Sequence, residues 1–424
     1  MPRPLPRPRL RTTAAIGTTL CALAATSLAG VPSVAEPFST APCALTRTTA
    51  HHSEGLDTWN AAYPRPARAL DAVMVFLSFP DSRPRTTPAE LAADHFPATS
   101  DFFRRASYGR FTLRAHPLKR WLRMPKPSTS YAMRRDWNAE HRAAYLRDAL
   151  AAADPRVDFA RYDVVYFVAD PDAPGVDSDA TKVVNLDVPL RADGAAIRRV
   201  VTVFEQHPPD RLVLAHETGH VFDLPDLYHR PADGKGDWDT YVGDWDLMGS
   251  QFGLAPDLFG WHKWKLGWLE PRQVVCVRDS GTTRLTLEPL GAGPGVPVTR
   301  ASGSPAFGLG NGTKLAVVRT GTGSALAFEA RGPVGDDTAA CRAGVLVYRV
   351  RSTADSGHGP VEVVDAHPHS EACWERSVYP PLADAPVGAG ESFTVPAVQG
   401  ERAVRVEAEG RTASGAWTVK ITPR

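Results

Sequence analysis

The chain has 424 residues, of which 43% are hydrophobic and 22% charged, so it can bury a sizeable core and is long enough for two domains. Its 48 basic and 47 acidic residues give a formal net charge of +1, with both signs interspersed. No basic block of the kind that binds nucleic acid and no acidic tail occurs, so we expect no nucleic-acid partner.

The segment 1–35 has the three-part layout of a secretory signal peptide. A basic start, MPRPLPRPRLR, precedes an uncharged stretch, TTAAIGTTLCALAATSLAG, and Ser33 and Ala35 form a small-x-small cleavage pattern. The alternative is a membrane anchor, which the short apolar run, diluted with Thr, Ser and Gly, disfavours. No later stretch approaches the ~20 apolar residues of a spanning helix. We therefore expect a secreted, soluble monomer without stable membrane association.

Four cysteines remain after the predicted signal peptide, and an even number in an exported chain predicts two disulfides. Of the three connectivities, we favour Cys43–Cys276 together with Cys341–Cys373. None of these cysteines forms a C-x-x-C pair, so a cysteine-rich zinc site is not supported. An alternative role for Cys43 is to block a metal centre in a latent precursor.

Residues 36–68 are polar and rich in proline, which predicts a linker, a pro-segment or a wrapping arm. The adjacent His51 and His52 in this segment are interpreted as solvated side chains rather than metal ligands.

Residues 69–271 alternate between predicted strands and helices, which is typical of an α/β or α+β domain. Residues 171–182 are predicted to form a loop, and a helix begins within HPPDRLVLAHETGHVFDL (207–224), with proline near its first turn. The other predicted elements are strands at 69–81, 108–118 and 162–170, an edge strand at 198–206, and helices at 88–107 and 138–155.

Residues 272–424 have a different pattern, because helical periodicity fades after Val274. Short strand-like runs such as GVLVYRVRS and AWTVKITP are separated by Gly, Pro, Asp and Ser turns. Regular short strands of this kind predict a C-terminal β-sandwich domain.

The motif HETGH (216–220) is the strongest chemical signal in the chain. His216 and His220 are four residues apart, so on a helix both imidazoles lie on one face and suit a tetrahedral zinc. Glu217 can then act as general base towards a zinc-bound water. The alternative is a surface helix with two histidines and a solvated Glu. The preceding Leu-Val-Leu-Ala indicates a buried helix, where such polar groups are costly without a purpose.

A third metal ligand is expected six residues after the second histidine, at Asp226. No Glu lies between Glu217 and Glu270, which nearly excludes a ligand from a following helix. Pro225 disfavours helical geometry at Leu224, so the chain must turn there and return Asp226 towards the metal.

Asp223 stands at the turn position where this pattern normally has a glycine with positive φ. Aspartate tolerates the left-handed region better than most residues, but the replacement is a departure from the pattern. A second hypothesis is that Asp223 orients a ligand histidine from outside the metal shell.

Met248, in the turn-like stretch GDWDLMGSQFG (243–253), is expected to lie beneath the metal as a Met-turn. The alternative is a methionine that only fills the core. Two acidic groups are weak candidates for Ca²⁺, and we interpret them mainly as solvated or capping acids. They are Asp172, Asp177 and Asp179, and Asp237, Asp239, Asp244 and Asp246.

These residues resemble the immune inhibitor A-type secreted metallopeptidases, a metzincin-like family. The resemblance rests on HETGHVFDLPDLYH, on YVGDWDLMGS and on PDLFGWHKWKLGWLEP (256–271), and it spans roughly residues 70–350. It implies a metzincin-like peptidase domain over 69–271 that hydrolyses peptide bonds. Carried over residue by residue, it implies zinc bound by His216, His220 and Asp226, with Glu217 as base and Met248 below.

The expected function is therefore a secreted zinc endopeptidase that acts on proteins or peptides through a zinc-bound water activated by Glu217. The alternatives are an exported zinc-binding protein without peptidase activity and a wall- or polysaccharide-binding protein whose C-terminal β domain carries the function.

Overall fold

We describe a computed structural model of the chain over residues 41–231, 234–278, 280–294, 298–299, 302, 305–306, 308–398 and 400–424. The predicted signal peptide at 1–35 lies outside the described residues. All described residues belong to one compact unit, and the domain division at 271/272 stays a prediction. No helix among the described residues is long and apolar enough to cross a membrane.

A mixed six-stranded sheet forms the first half of the molecule. Its strand order is β2-β1-β4-β6-β5, with the short β3 also beside β1, and all pairings are parallel except that of β5 with β6. The strands are β1 (Ala69–Ser78), β2 (Thr112–Pro117), β3 (Leu122–Arg123), β4 (Val164–Ala169), β5 (Lys182–Ala192) and β6 (Ala195–Val203).

The prediction of an edge strand at 198–206 is wrong in its placement, because β6 lies inside the sheet between β4 and β5. The strand at this edge of the sheet is β5. In that region the sequence predicted only a loop, which ended at residue 182. The two strands are joined through Asp193 and Gly194, which have φ of 50° and 74°. An Asp-Gly pair with positive φ at both positions is a strong hairpin signal, so this feature was readable from the sequence.

The α-helices among the described residues are α1 (Pro88–His95), α2 (Ala98–Ala106), α3 (Ala139–Ala153), α4 (Val213–Val221), α5 (Gly260–Lys265) and α6 (Pro380–Ala383). The single helix predicted at 88–107 is two helices, because Pro97 between them has no backbone N–H to continue the first one. Thr87 and Glu90 form a capping box at the start of α1.

The core of the first half lies between α3 and one face of the sheet. Alternate residues of β1, including Val73 and Val75, are fully buried and share a hydrophobic cluster with Tyr145 and Ala149 of α3. Alternate side chains of β1 and helically spaced side chains of α3 are buried against each other. This packing holds the strands of the sheet in place.

The second half is built from short strands in two larger sheets and one small sheet. The sheet orders are β14-β13-β12-β11-β7, β15-β16-β17-β8 and β10-β9. The strands are β7 (Val274–Cys276), β8 (Thr283–Leu287), β9 (Val298–Thr299), β10 (Pro305–Ala306), β11 (Leu315–Arg319), β12 (Ser324–Arg331), β13 (Gly344–Arg351), β14 (Val361–Val363), β15 (Ser392–Val395), β16 (Val404–Arg411) and β17 (Trp417–Pro423).

The two larger sheets share one hydrophobic cluster, to which Phe328 and Val347 contribute from one sheet and Val406 and Val419 from the other. Two layers with a common core agree with the predicted sandwich arrangement. The described chain is therefore a mixed α/β protein with several sheets and few helices, whereas the metzincin-like assignment of its first half stays a prediction.

Both predicted disulfides are formed. Cys43 is bonded to Cys276, and Cys341 to Cys373, with Cα–Cα distances of 5.5 and 6.1 Å. The first bond ties the N-terminal segment to β7, which excludes the hypothesis that Cys43 caps a metal.

Residues 41–68 form a wrapping arm, which was one of three hypotheses for this segment. The indole nitrogens of Trp261 and Trp268 donate to the carbonyls of Glu54 and Pro66, at 3.1 and 2.8 Å. The interpretation of His52 as a solvated side chain is wrong, because the residue is only 4% exposed. Composition indicated a polar segment, but buried partners on α5 hold part of it in the interior.

Candidate metal centre

Both histidines of HETGH lie on the same side of the helix α4, with their imidazole rings next to each other. The Nδ1 of His216 donates to the carbonyl of Leu247 at 2.9 Å, and the Nδ1 of His220 donates to the carbonyl of Leu224 at 2.8 Å. A backbone carbonyl can only accept, so the protons of the neutral imidazoles are fixed on Nδ1. The two Nε2 lone pairs are therefore available to a metal ion.

Asp226 completes the cluster. Its Oδ1 atom lies 3.0 Å from Nε2 of His220 and 3.5 Å from Nε2 of His216. The Asp226 side chain is 25% exposed, but the Oδ1 atom itself is buried and faces both Nε2 atoms. One ligand atom from each of the three residues lies within 4.8 Å of the others, and no other such group of three occurs among the described residues.

The turn between His220 and Asp226 has the geometry that the sequence predicted. Asp223 adopts a φ of 67°, in the left-handed region that glycine usually occupies at this position. The helix ends at Val221, before this turn and Pro225, so the chain returns Asp226 towards the two imidazoles.

The hypothesis that Asp223 orients a ligand histidine is wrong. Its carboxylate binds Arg47 and accepts from Nδ1 of His52 at 2.9 Å. Both of those residues belong to the N-terminal arm, while backbone carbonyls orient the ligand histidines. The His52 ring stacks on His220 with a centroid distance of 5.7 Å, so the Asp223 carboxylate reaches the cluster through His52.

Met248 lies directly against α4. A side chain at Gly219 would collide with Sδ of Met248, so glycine at the fourth position of HETGH makes room for the methionine. The Asp246 carboxylate accepts from the Met248 N–H at 2.7 Å. The carbonyl of Leu247, between these two residues, accepts from His216. The turn at Met248 therefore supports both the helix and one of the two imidazoles.

Glu217 is buried next to the histidines and lies beneath the edge strand. Its Oε2 atom accepts from the Val183 N–H of β5 at 2.7 Å. Burial raises the pKa of Glu217 above its usual range, although His216 and His220 act in the opposite direction. A carboxylate with a raised pKa is suited to accept and return a proton near neutral pH.

The electrostatics of the three clustered side chains favour a bound cation. Burial lowers the pKa of His220, but Asp226 outweighs this effect and raises the pKa to about 9. Burial likewise raises the pKa of Asp226, but the two histidines hold it well below its usual range. The Asp226 carboxylate therefore stays ionised and favours a proton on His220. A metal ion can displace this proton.

The cluster lies in a cleft of about 760 Å³ between β5 and the segment after α4. The ring of Tyr228 is stacked towards His216 at 6.4 Å between centroids, and burial together with the carboxylates of Asp226 and Glu217 raises the pKa of its hydroxyl. Other residues that line the cleft are Thr181, Lys182, Asn185, Trp238 and Phe252.

The acids considered for calcium act as hydrogen-bond acceptors within the protein. Asp246 accepts from Phe259 N–H and His262, and Asp244 accepts from the Leu254 N–H. Asp177 accepts from the Asp179 N–H at 3.1 Å, as a capping residue does.

Two residues that sequence reasoning missed contact the cluster from outside the motif. His52 of the arm stacks on His220, and Ser356 of the C-terminal half binds Asp226 through its hydroxyl. Ser356 is 130 residues from Asp226 along the chain and belongs to no motif, so no sequence signal could have identified it.

A comparison with protein-family models and with curated proteins finds no match to the chain. Among solved structures, the chain is similar to wild-type OgpA from Akkermansia muciniphila. The identity is 12% and the TM-score 0.26, with 87% of this chain and 96% of that chain covered. A TM-score of this size is too low to assign a shared fold or activity.

Proposed function

We propose that the chain is a secreted zinc metallopeptidase that hydrolyses peptide bonds in proteins or peptides. The observation that carries the proposal is the buried Oδ1 atom of Asp226, which lies 3.0 and 3.5 Å from the Nε2 atoms of His220 and His216. Three buried donor atoms that converge on one point are costly to desolvate, and a shared cation removes part of that cost.

The donor set fits zinc. Two imidazole nitrogens and one carboxylate oxygen are three ligands of the kind that catalytic zinc uses, with a fourth position left for water or substrate. A zinc ion bound there supplies a Lewis acid and lowers the pKa of a bound water towards ~7. The backbone carbonyls on both Nδ1 atoms fix the orientation of the imidazoles.

Glu217 is the residue that moves the proton. Its carboxylate lies on the same helix as both histidines and borders the same cleft. In the proposed reaction it accepts a proton from the attacking water and passes it to the leaving amine. The N–H of Val183 holds Oε2, which leaves Oε1 to receive the proton.

The secreted location is part of the same proposal. Two disulfides are formed, as is usual in oxidising compartments, and the described residues contain no helix able to cross a membrane.

The test is the variant Glu217→Gln in the full mature chain, with zinc content and casein hydrolysis both measured. We expect about one zinc per chain to be retained and hydrolysis to fall by ~10²–10⁴-fold, because the shape of the side chain is kept and the proton acceptor is lost. The control is Glu407→Gln on β16, which should hydrolyse casein like the wild type. Equal activity in Glu217→Gln would reject the mechanism. A wild-type chain that binds zinc but cleaves no protein substrate favours the alternative of a zinc-binding protein without peptidase activity.

A further inference from the structure

We propose that Ser356, in the loop after β13, is a positioning residue for Asp226, and that the C-terminal β region is therefore part of the metal centre and not a separable module. This inference rests on the proposed zinc site. It adds that the third ligand depends on a residue from the other half of the chain.

Ser356 binds Asp226 through both ends of its hydroxyl. The oxygen accepts from the Asp226 N–H at 2.8 Å, and the hydroxyl hydrogen is donated to Oδ2 of Asp226 at 3.1 Å. The next residue, Gly357, donates its N–H to the Asp226 carbonyl at 2.9 Å. Backbone and side chain of the ligand are thus both held by two consecutive loop residues.

The effect of this contact is to assign different roles to the two carboxylate oxygens. Oδ2 is used by the serine hydroxyl, so Oδ1 is the atom directed at the two Nε2 atoms. Without the hydroxyl, the carboxylate could rotate about χ2, whose energy profile is broad, and would have to be ordered when the metal binds. Ser356 therefore reduces the conformational cost of binding an ion.

The loop that carries Ser356 is itself held in place by the N-terminal arm. The Ser356 N–H donates to the carbonyl of His51 at 3.1 Å, and the His51 N–H donates to the Asp355 carboxylate at 2.7 Å. The hydroxyls of Thr48 and Ser53 both donate to the Ser352 carbonyl, at 2.5 and 2.7 Å. The arm thus clamps the loop that positions the ligand.

The arm is in turn fixed to the β region by the bond between Cys43 and Cys276. The outer support of Asp226 accordingly combines three parts of the chain: the turn after α4, the arm and the loop after β13. An independent binding module would be joined to the first half by a linker, whereas here its loop directly contacts the ligand set.

The test measures the zinc dissociation constant of the full mature chain by competition with a chromophoric chelator. We compare Ser356→Ala, Ser356→Thr and Asp226→Ala with the wild type. The matched control is Ser392→Ala on β15, which removes a hydroxyl that accepts only a surface bond from Arg405. Zinc affinity is read out separately from activity, because a loop that only supports the fold would not change it.

Ser356→Ala should weaken zinc binding by ~10–100-fold, as is typical when a residue that orients a ligand is removed. Ser356→Thr keeps the hydroxyl and should bind zinc like the wild type, as should Ser392→Ala, and Asp226→Ala should be weaker than Ser356→Ala.

Two results overturn the inference and leave the proposed function standing. In the first, Ser356→Ala binds zinc as tightly as the wild type while Asp226→Ala does not. In the second, Ser356→Ala and Ser356→Thr are equally impaired, so the hydroxyl is not the cause. A wild-type chain that binds no zinc would reject the proposed function and this inference together.

Discussion

The clusters around α4 and α5 both combine histidine with carboxylate, and they differ in which ring nitrogens they leave free. The open cluster is His216, His220 and Asp226, which lies in the cleft. The closed cluster is His262 between Glu54 and Asp246, where all three side chains are fully buried. The two are linked, because Asp246 also holds the Met248 turn that supports His216.

In the closed cluster, both ring nitrogens of His262 face carboxylates, Nδ1 at 3.0 Å and Nε2 at 2.9 Å. Such a ring is a doubly protonated cation and has no lone pair for a metal. In the open cluster, neutral carbonyls take the Nδ1 protons, and the two Nε2 atoms share one carboxylate oxygen. The difference between a structural ion pair and a candidate metal site thus depends on whether Nδ1 of the histidine meets a carboxylate or a backbone carbonyl.

The largest effect that would test this difference is on stability. His262→Ala should lower the unfolding free energy of the metal-free protein by ~3–5 kcal/mol, because it leaves the buried Asp246 without its cation and Glu54 with only Lys265, 3.7 Å away. His220→Ala should cost clearly less, since its single carboxylate partner lies in the cleft and water can reach it. Denaturant unfolding followed by tryptophan fluorescence measures both. An equal loss in the two variants would remove the distinction.

The second effect is on metal affinity. His220→Ala should raise the zinc dissociation constant by about 100-fold or more, because one of the three proposed ligands is lost. The control is His116→Ala, whose half-exposed ring only meets Asp71 at 2.7 Å and should leave the constant unchanged. Unchanged zinc binding in His220→Ala would argue that the open cluster is another ion pair.

The third effect concerns Asp223, which contacts the open cluster through His52. Replacement by glycine suits a φ of 67°, but it removes the carboxylate that binds Arg47 and His52. We expect Asp223→Gly to destabilise by ~1–3 kcal/mol, because buried partners lose their acceptor.

The matched control for Asp223 is Ala132→Gly, at a φ of 47° with no side-chain hydrogen bond to lose. This variant should be stabilised by up to ~1 kcal/mol, since only the backbone preference changes. The sign of the change in unfolding free energy of Asp223→Gly is the measurement that decides. A stabilised variant would show that the Asp223 carboxylate has no structural role.

The smallest effect is the pH dependence that His262 contributes, which a comparison with His262→Gln separates from the similar contribution of His220. Burial lowers the pKa of His262, but Glu54 and Asp246 outweigh it and raise the pKa to about 9. The folded state therefore binds more protons than the unfolded state, whose histidine has a pKa near ~6.5. The stabilisation is complete below that value and is lost as the pH rises through about 9.

Between pH 7 and 8 the unfolding free energy of the wild type should fall by on the order of 1 kcal/mol relative to that of His262→Gln. The linkage relation requires this change when the folded state binds one proton more than the unfolded state. Unfolding free energies at the two pH values, measured on both proteins, isolate this group because the other titrations cancel in the difference. A parallel pH profile for the two proteins would mean that His262 is not charged in the folded state.

Local features of the sequence predicted much of the candidate site. The spacing of His216 and His220, the proline before Asp226 and the left-handed tolerance of Asp223 are properties of adjacent residues, so they fix the helix, the turn and the return of the carboxylate. The disulfide pairing was also correct. The Asp-Gly hairpin between β5 and β6 was equally local, yet it was overlooked, and the edge strand was misplaced as a result.

Other contacts depend on residues that are distant in sequence and carry no local signal. His52 lies in a polar, proline-rich arm, where composition predicts exposure, but its burial follows from Asp223 and from the α5 residues that hold Glu54. Val183 meets Glu217 only because β5 folds back as the antiparallel edge strand.

The sequence by itself determined which side chains could share a metal ion, because helix pitch and turn preference act over a few residues. The tertiary structure alone decided which atoms of His216 and Asp226 are free, whereas the local turn orients His220 through the Leu224 carbonyl. The Leu247 carbonyl and the hydroxyl of Ser356 make that selection at His216 and Asp226. Hydrogen bonds are short-ranged and directional, so only packing of distant segments brings these partners to the ligands.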